Sequence, residues 1–154
     1  MRTLTVLFVI MASGAAAAAS QDNKGKGLSL NSLPAAVRKT VQDNLMGGTI
    51  RNIGKEKEDG VEQYEVESLR EGKSRDFNVD VKGNLLSLEA ATTIDAIPAS
   101  ARASILKKVV DGKLAVVETF TKTGQPTMYE ASFTDKKGKK HEVLVKADGT
   151  ETKE

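Results

Sequence analysis

The sequence predicts an α+β protein made of two tandem repeats, each one helix packed on a three- to four-stranded antiparallel meander sheet. Two observations carry this expectation. The chain matches itself when slid by 64 residues, and within each copy the spacing of apolar residues changes from four to two. In that alignment Leu33-Pro34-Ala35 falls on Ile97-Pro98-Ala99, and Val37, Val41 and Leu45 fall on Ala101, Ile105 and Val109. After one single-residue slip Tyr64-Glu65 meets Tyr129-Glu130. After a second, Phe77, Val79 and Gly83 meet Val143, Val145 and Gly149.

Residues 1–20 read as a secretory signal peptide. Arg2 is a short basic region, Leu4–Met11 an apolar run, and the alanines ending at Ala19 offer a cleavage site near Ala19 or Ser20. The chain is therefore expected in the periplasm or outside the cell. No later segment is long and apolar enough for a stable membrane span in the mature form. Residues 21–31, QDNKGKGLSLN, read as a flexible polar leader. The first unit is placed at 32–91 and the second at 92–154.

Each unit opens with a proline in the first helical turn, where its missing N–H costs nothing. Ser32 and Asp95 stand just upstream as candidate caps. The four-residue spacing of Val37, Val41 and Leu45, and of Ala101, Ile105 and Val109, marks one buried stripe per helix. Gly47-Gly48 and Gly112 are expected to end the helices. The period then falls to two. In the first unit, strands are expected after Gly48, over VEQYEVESL, over RDFNVDV and over LLSLEA, with turns at Asp59-Gly60, Gly72 and KGN. In the second, KLAVVETF, MYEASF and KHEVLVK follow the same plan, with turns at Gly124, Lys137-Gly138 and Asp148-Gly149. Only TETKE then remains for a fourth strand.

Composition excludes several classes of function. There is no cysteine, so disulfides, thiolate metal sites and a lipid-anchored N-terminal thiol are ruled out. The formal charge is +2, and removal of Arg2 with the signal lowers it by one. That balance gives no general attraction to nucleic acid or to an anionic membrane. A single histidine leaves no pair for a zinc site, so no cofactor is expected.

Four carboxylates stand out. Glu65 and Glu67 share one side of their strand by the period of two, as do Asp76 and Asp80 on the next. If those strands pair, all four become neighbours on the wet face. They form a candidate partner-binding patch, with a weak cation site as the alternative use. His141 would be needed for a serine–histidine–acid hydrolase, but it lies in an alternating strand beside lysines, an ordinary surface setting. Lys136, Lys137, Lys139 and Lys140 surround Gly138 and suit a soluble hairpin tip. Tyr64 and Tyr129 occupy matching dry-face positions and read as core rings with hydroxyls at the rim.

The helix openings LPAAV and IPASA, the Tyr-Glu pairs in QYEVES and MYEASF, and the closing NVDVKG and VLVKADG together resemble the PepSY-like family. Its tandem helix-on-sheet units are similar to those of beta-lactamase inhibitory proteins. The resemblance spans residues 32–154. It implies an exported, non-catalytic module that recognises or restrains another envelope or secreted protein, as PepSY domains are thought to restrain the peptidases that carry them. It also implies that the open sheet face does the binding. A cation- or small-ligand-binding envelope protein is the alternative.

Overall fold

A computed structural model describes residues 27–58 and 60–153. The expected signal peptide, leader residues 21–26, the Asp59 half of the first turn, and Glu154 lie outside the described residues. At the end of the leader, the Leu28 N–H donates to the Ile53 carbonyl at 2.9 Å.

The described residues form two α-helices, α1 (Ala35–Leu45) and α2 (Ala99–Lys108). Each follows a short 3-10 turn, at Leu30–Ser32 and Ile94–Ala96. Each begins at a proline whose carbonyl accepts the first helical bond, Pro34 from Arg38 and Pro98 from Arg102, both at 2.9 Å. Ser32 and Asp95 do not cap. They sit inside the 3-10 turns, too early to reach the first free amides of the helix. The Ser32 hydroxyl bonds back to the Ser29 carbonyl, and Asp95 pairs with Arg102 at 3.2 Å. Helix α1 ends as Met46 and Gly47 turn left-handed, at φ 48° and 82°. Beyond α2, Gly112 passes so close to the sheet that a Cβ there would lie 2.5 Å from the Thr134 carbonyl oxygen.

The strands are β1 (Thr49–Glu58), β2 (Val61–Arg70), β3 (Lys73–Asp80), β4 (Leu85–Thr92), β5 (Lys113–Lys122), β6 (Met128–Thr134), β7 (Lys140–Lys146) and β8 (Glu151–Thr152). They form one continuous antiparallel sheet in the order β1-β2-β3-β4-β5-β6-β7-β8. This corrects the expected fold class. The described chain is mostly β, a single eight-stranded sheet with two helices, not two tandem helix-plus-meander repeats. The finding that overturns the expectation is the seam between β4 and β5, where six consecutive residues pair from Ser87↔Lys122 to Thr92↔Val117. Side chains reinforce it: Thr123 Oγ1 donates to the Leu85 carbonyl at 2.6 Å and Thr119 Oγ1 to that of Ala90 at 3.3 Å. Two separate sheets would have left β4 and β5 as long edges with unpaired backbone groups, and pairing them satisfies both.

Both helices lie on the same face. Phe77 stands opposite Leu88, and Leu88 opposite Thr121, which shares its side of β5 with Val117. Under α1, Val37 and Val41 pack on Ile53, Val66, Phe77 and Val79. Tyr64 is buried among them. Under α2, Ala101 and Ile105 pack on Val117, Ala131, Val143 and Val145, with Tyr129 at the margin. Among the described residues the opposite face carries no helix, and the alternation of each strand turns its polar residues that way.

Candidate functional site

On the helix-free face, cross-strand pairing assembles two rows that run across the seam. One is Asp76, Glu89, Phe120, Met128 and Lys146, each opposite the next. The neighbouring row is Ala91, Glu118, Glu130 and Leu144. The first row passes from acids on β3 and β4 to apolar residues on β5 and β6 and ends at Lys146 on β7, and the second passes from acids on β5 and β6 to Leu144 on β7. Carboxylates stand directly opposite one another at Asp76–Glu89 and at Glu118–Glu130.

The apolar part is a compact cluster of Phe120, Met128 and Leu144. Phe120 is only 2% exposed although no helix covers this face, so its burial comes from neighbouring side chains. Lys122 is one of them, with its ammonium 5.5 Å above the Phe120 ring centre, a cation–π arrangement. Glu118 is 6% exposed, and its Oε1 accepts a 2.6 Å bond from the Ser74 hydroxyl.

The electrostatics follow from that crowding. Burial pushes the Asp76 carboxyl up to about 6, and the charges of Glu118 and Glu67 add to the rise. The Ser68 N–H, which donates to Asp76 Oδ1 at 2.8 Å, and the Arg51 charge work against it. Burial also raises Glu118, partly offset by the Ser74 bond and assisted by the charge of Glu142. Both carboxylates would be easier to ionise if a cationic group came close.

The four residues picked out in the sequence divide. Asp76 lies in the acidic row. Glu67 is near enough to raise its proton affinity, and accepts from Asn52 Nδ2 at 3.1 Å. Glu65 is exposed on the same side of β2, opposite Gly54 and Asn78. Asp80 serves the β3–β4 turn instead. Its Oδ1 accepts from the Lys82 and Asn84 N–H groups and its Oδ2 from the Asn84 amide, all at 2.8 Å. Those bonds, the Asn84 amide first, hold Asp80 below the usual carboxylate range. Sequence reasoning missed Glu89, Glu118 and Glu130, and the apolar trio beside them. The alternation of LLSLEA and VVETF carried the signal, but only the β4–β5 seam brings those residues to the first four.

His141 lies at the base of the lysine-rich hairpin. Its Nε2 is 2.9 Å from Asp135 Oδ2, and its ring stacks on Phe133 with centres 5.3 Å apart. Asp135 Oδ1 also accepts from the Lys137 and Lys139 N–H groups, so this acid–imidazole pair organises the turn. Among the described residues no three histidine or carboxylate side chains are placed to hold a metal ion. No helix among them is long and apolar enough to cross a membrane.

No family model and no curated protein matches the chain. Solved structures do. A Bacteroides eggerthii protein provisionally described as periplasmic aligns with a TM-score of 0.64 at 13% identity, over 79% of this chain and 86% of that one. A DUF2874 family protein from Bacteroides uniformis gives 0.63 at 12% identity, over 78% and 86%. A BLIP-like protein from Bacteroides fragilis gives 0.58 at 17% identity, over 79% and 84%. These likenesses show the fold, which is BLIP-like.

Proposed function

We propose that this chain is an exported, non-catalytic binding protein, PepSY-like in sequence pattern, that recognises or restrains another envelope or secreted protein. The helix-free face of the sheet is the surface that engages it. The observation that carries this reading is the two-part make-up of that face. A compact apolar cluster of Phe120, Met128 and Leu144 adjoins the paired acids Asp76–Glu89 and Glu118–Glu130. The trio is buried beneath its neighbours, so what the face presents is the acidic rows, which fit a partner that brings basic side chains. The charges supply orientation and association rate. The likeness to a BLIP-like protein and to a provisionally periplasmic one supports an exported, protein-binding role.

The test is retention of a protein from envelope extract on the immobilised chain, compared with the double variant Asp76→Lys/Glu89→Lys. Specific retention that weakens with salt and is lost in the variant is expected. Retention that is indifferent to this charge reversal would move the binding surface elsewhere.

A further inference from the structure

The near-neutral total charge of the chain hides a local excess. The turn from α2 into β5, residues 109–112, packs against the end of β6, where Gly112 makes its close approach to the Thr134 carbonyl. Thr134 in turn lies opposite Lys113 on one side and Lys140 on the other. The end of α2, the start of β5 and the β6–β7 hairpin therefore adjoin one another at one end of the sheet.

Seven exposed lysines meet there. Lys107 and Lys108 close α2, Lys113 and Lys140 flank Thr134, and three more occupy the hairpin turn. The hairpin holds its lysines out from a fixed frame. Asp135 Oδ1 accepts from the Lys137 and Lys139 N–H groups, the Gly138 N–H donates to the Asp135 carbonyl at 2.9 Å, and Gly138 turns left-handed at φ 80°. The acids on these same segments are Asp111 and Asp135, and Lys108 pairs with Glu151 at 2.6 Å. Lysines thus outnumber acids by more than two to one.

An apolar side chain stands among them. Val110, in the turn between α2 and β5, is 67% exposed, more than any other large hydrophobic residue among those described.

We propose that this end of the molecule docks on an anionic phospholipid surface, with the lysines at the headgroup phosphates and Val110 entering the boundary between headgroups and acyl chains. Three features favour a lipid surface over a single ligand or an acidic protein. The cations are all lysines, compact hydrated charges without the planar fork by which arginine reads one carboxylate or phosphate. They come from a helix end, two strand ends and a turn, so they are spread over a surface. The exposed valine beside them suits a bilayer boundary, where charge attracts and a shallow apolar contact adds to it. Because such attraction falls off within about 8–10 Å, the local excess counts and the acids on the far strands do not.

Cosedimentation of the mature chain with vesicles tests the proposal, using phosphatidylglycerol mixed with phosphatidylcholine against phosphatidylcholine alone. Binding to the anionic vesicles only, weaker as salt rises, is expected. Lys137→Gln/Lys139→Gln keeps the N–H groups that Asp135 accepts, so the hairpin should persist by circular dichroism while binding weakens about twentyfold. The chain has no tryptophan, so Val110→Trp places a single indole at the tip. Its emission should move to the blue on anionic vesicles and stay unchanged on neutral ones. No binding, equal binding to both vesicle types, undiminished binding of the lysine variant, or an unmoved indole in the bound protein would each overturn the proposal. So would a self-association of the free chain that the lysine variant abolishes, since the hairpin would then dock on the acidic rows of a second copy. None of these outcomes bears on the partner proposed for the helix-free face, whose own test is the charge reversal above.

Discussion

The Ser74 hydroxyl donates a 2.6 Å hydrogen bond to Glu118 Oε1 across the whole width of β4. Ser74 is on β3 and Glu118 on β5, and the residue between them is Ala91, opposite Glu118. Only a small side chain there lets the two meet. The bond ties the two halves of the sheet together on the face without helices, where the charge of Glu118 on β5 works against that of Asp76 on β3.

Ser74→Ala is predicted to destabilise the protein by about 1–2 kcal/mol at pH 7, because it strips a buried carboxylate of a donor. The sign of the pH dependence is fixed. The bond favours ionised Glu118, so its loss matters most above the pKa of that group and least when the carboxyl is protonated. Urea denaturation of both proteins at pH 7 and pH 4 measures the difference, which should shrink on acidification.

Asp76→Asn is predicted to stabilise the protein at neutral pH. The folded state holds the Asp76 proton more tightly than the unfolded chain does, since its carboxyl is raised from 3.8 to about 6. Stability from this group is therefore present at acid pH and is lost as pH rises through about 6. With partial solvent screening the effect is on the order of 1 kcal/mol. Asparagine keeps an oxygen for the Ser68 N–H and removes the charge. Thermal melts from pH 4 to 8 should show the wild type losing stability over that window and the variant losing less. Asp80, Asp135 and Asp148, all held below their usual range by hydrogen bonds, act in the opposite direction. Their contribution is lost as pH falls through their depressed pKa values, which limits the acid side of the profile.

The helices and most strand positions were legible because they rest on local signals: proline openings, glycine turns, and a period that changes from four to two. The seam was not. Every residue of β4 is half-buried, on both faces, so LLSLEAAT shows no preference for one exposed side that would mark an outer strand or an inner one. Alternation tells which side of a strand a residue faces, never which strand lies next to it. The acid quartet was half legible for the same reason. Glu65, Glu67 and Asp76 follow from periodicity. The diversion of Asp80 is a turn effect set by Asn84, and the role of Glu89 and Glu118 depends on the seam.

Ile105→Ala is predicted to cost about 2–4 kcal/mol, since Ile105 is fully buried under α2 and its removal leaves a cavity against the sheet. Because β4 and β5 pair without interruption, the loss should not be confined to the second half. Hydrogen exchange at Val66 and Phe77, under α1, should accelerate along with exchange at Val143 and Val145, and urea should give one transition. Two transitions, or unchanged protection under α1, would mean that the seam does not couple the two cores.

Asp80→Ala separates structure from recognition. It removes the acceptor for the Lys82 and Asn84 N–H groups, so a loss of about 1 kcal/mol is expected in urea denaturation. Partner retention should be unaffected, because the Asp80 carboxylate is occupied by its own turn. Glu67→Lys should do the reverse. Glu67 is half-buried with its charge near Asp76, so reversing it relieves that repulsion against the loss of the Asn52 bond and leaves stability little changed. The same reversal places a cation where the proposed partner brings one. Measured on the same retained protein, the pair of variants separates the role of Asp80 from that of Glu67. Loss of retention in Asp80→Ala with an intact fold would place the contact at the β3–β4 turn and not on the acidic rows.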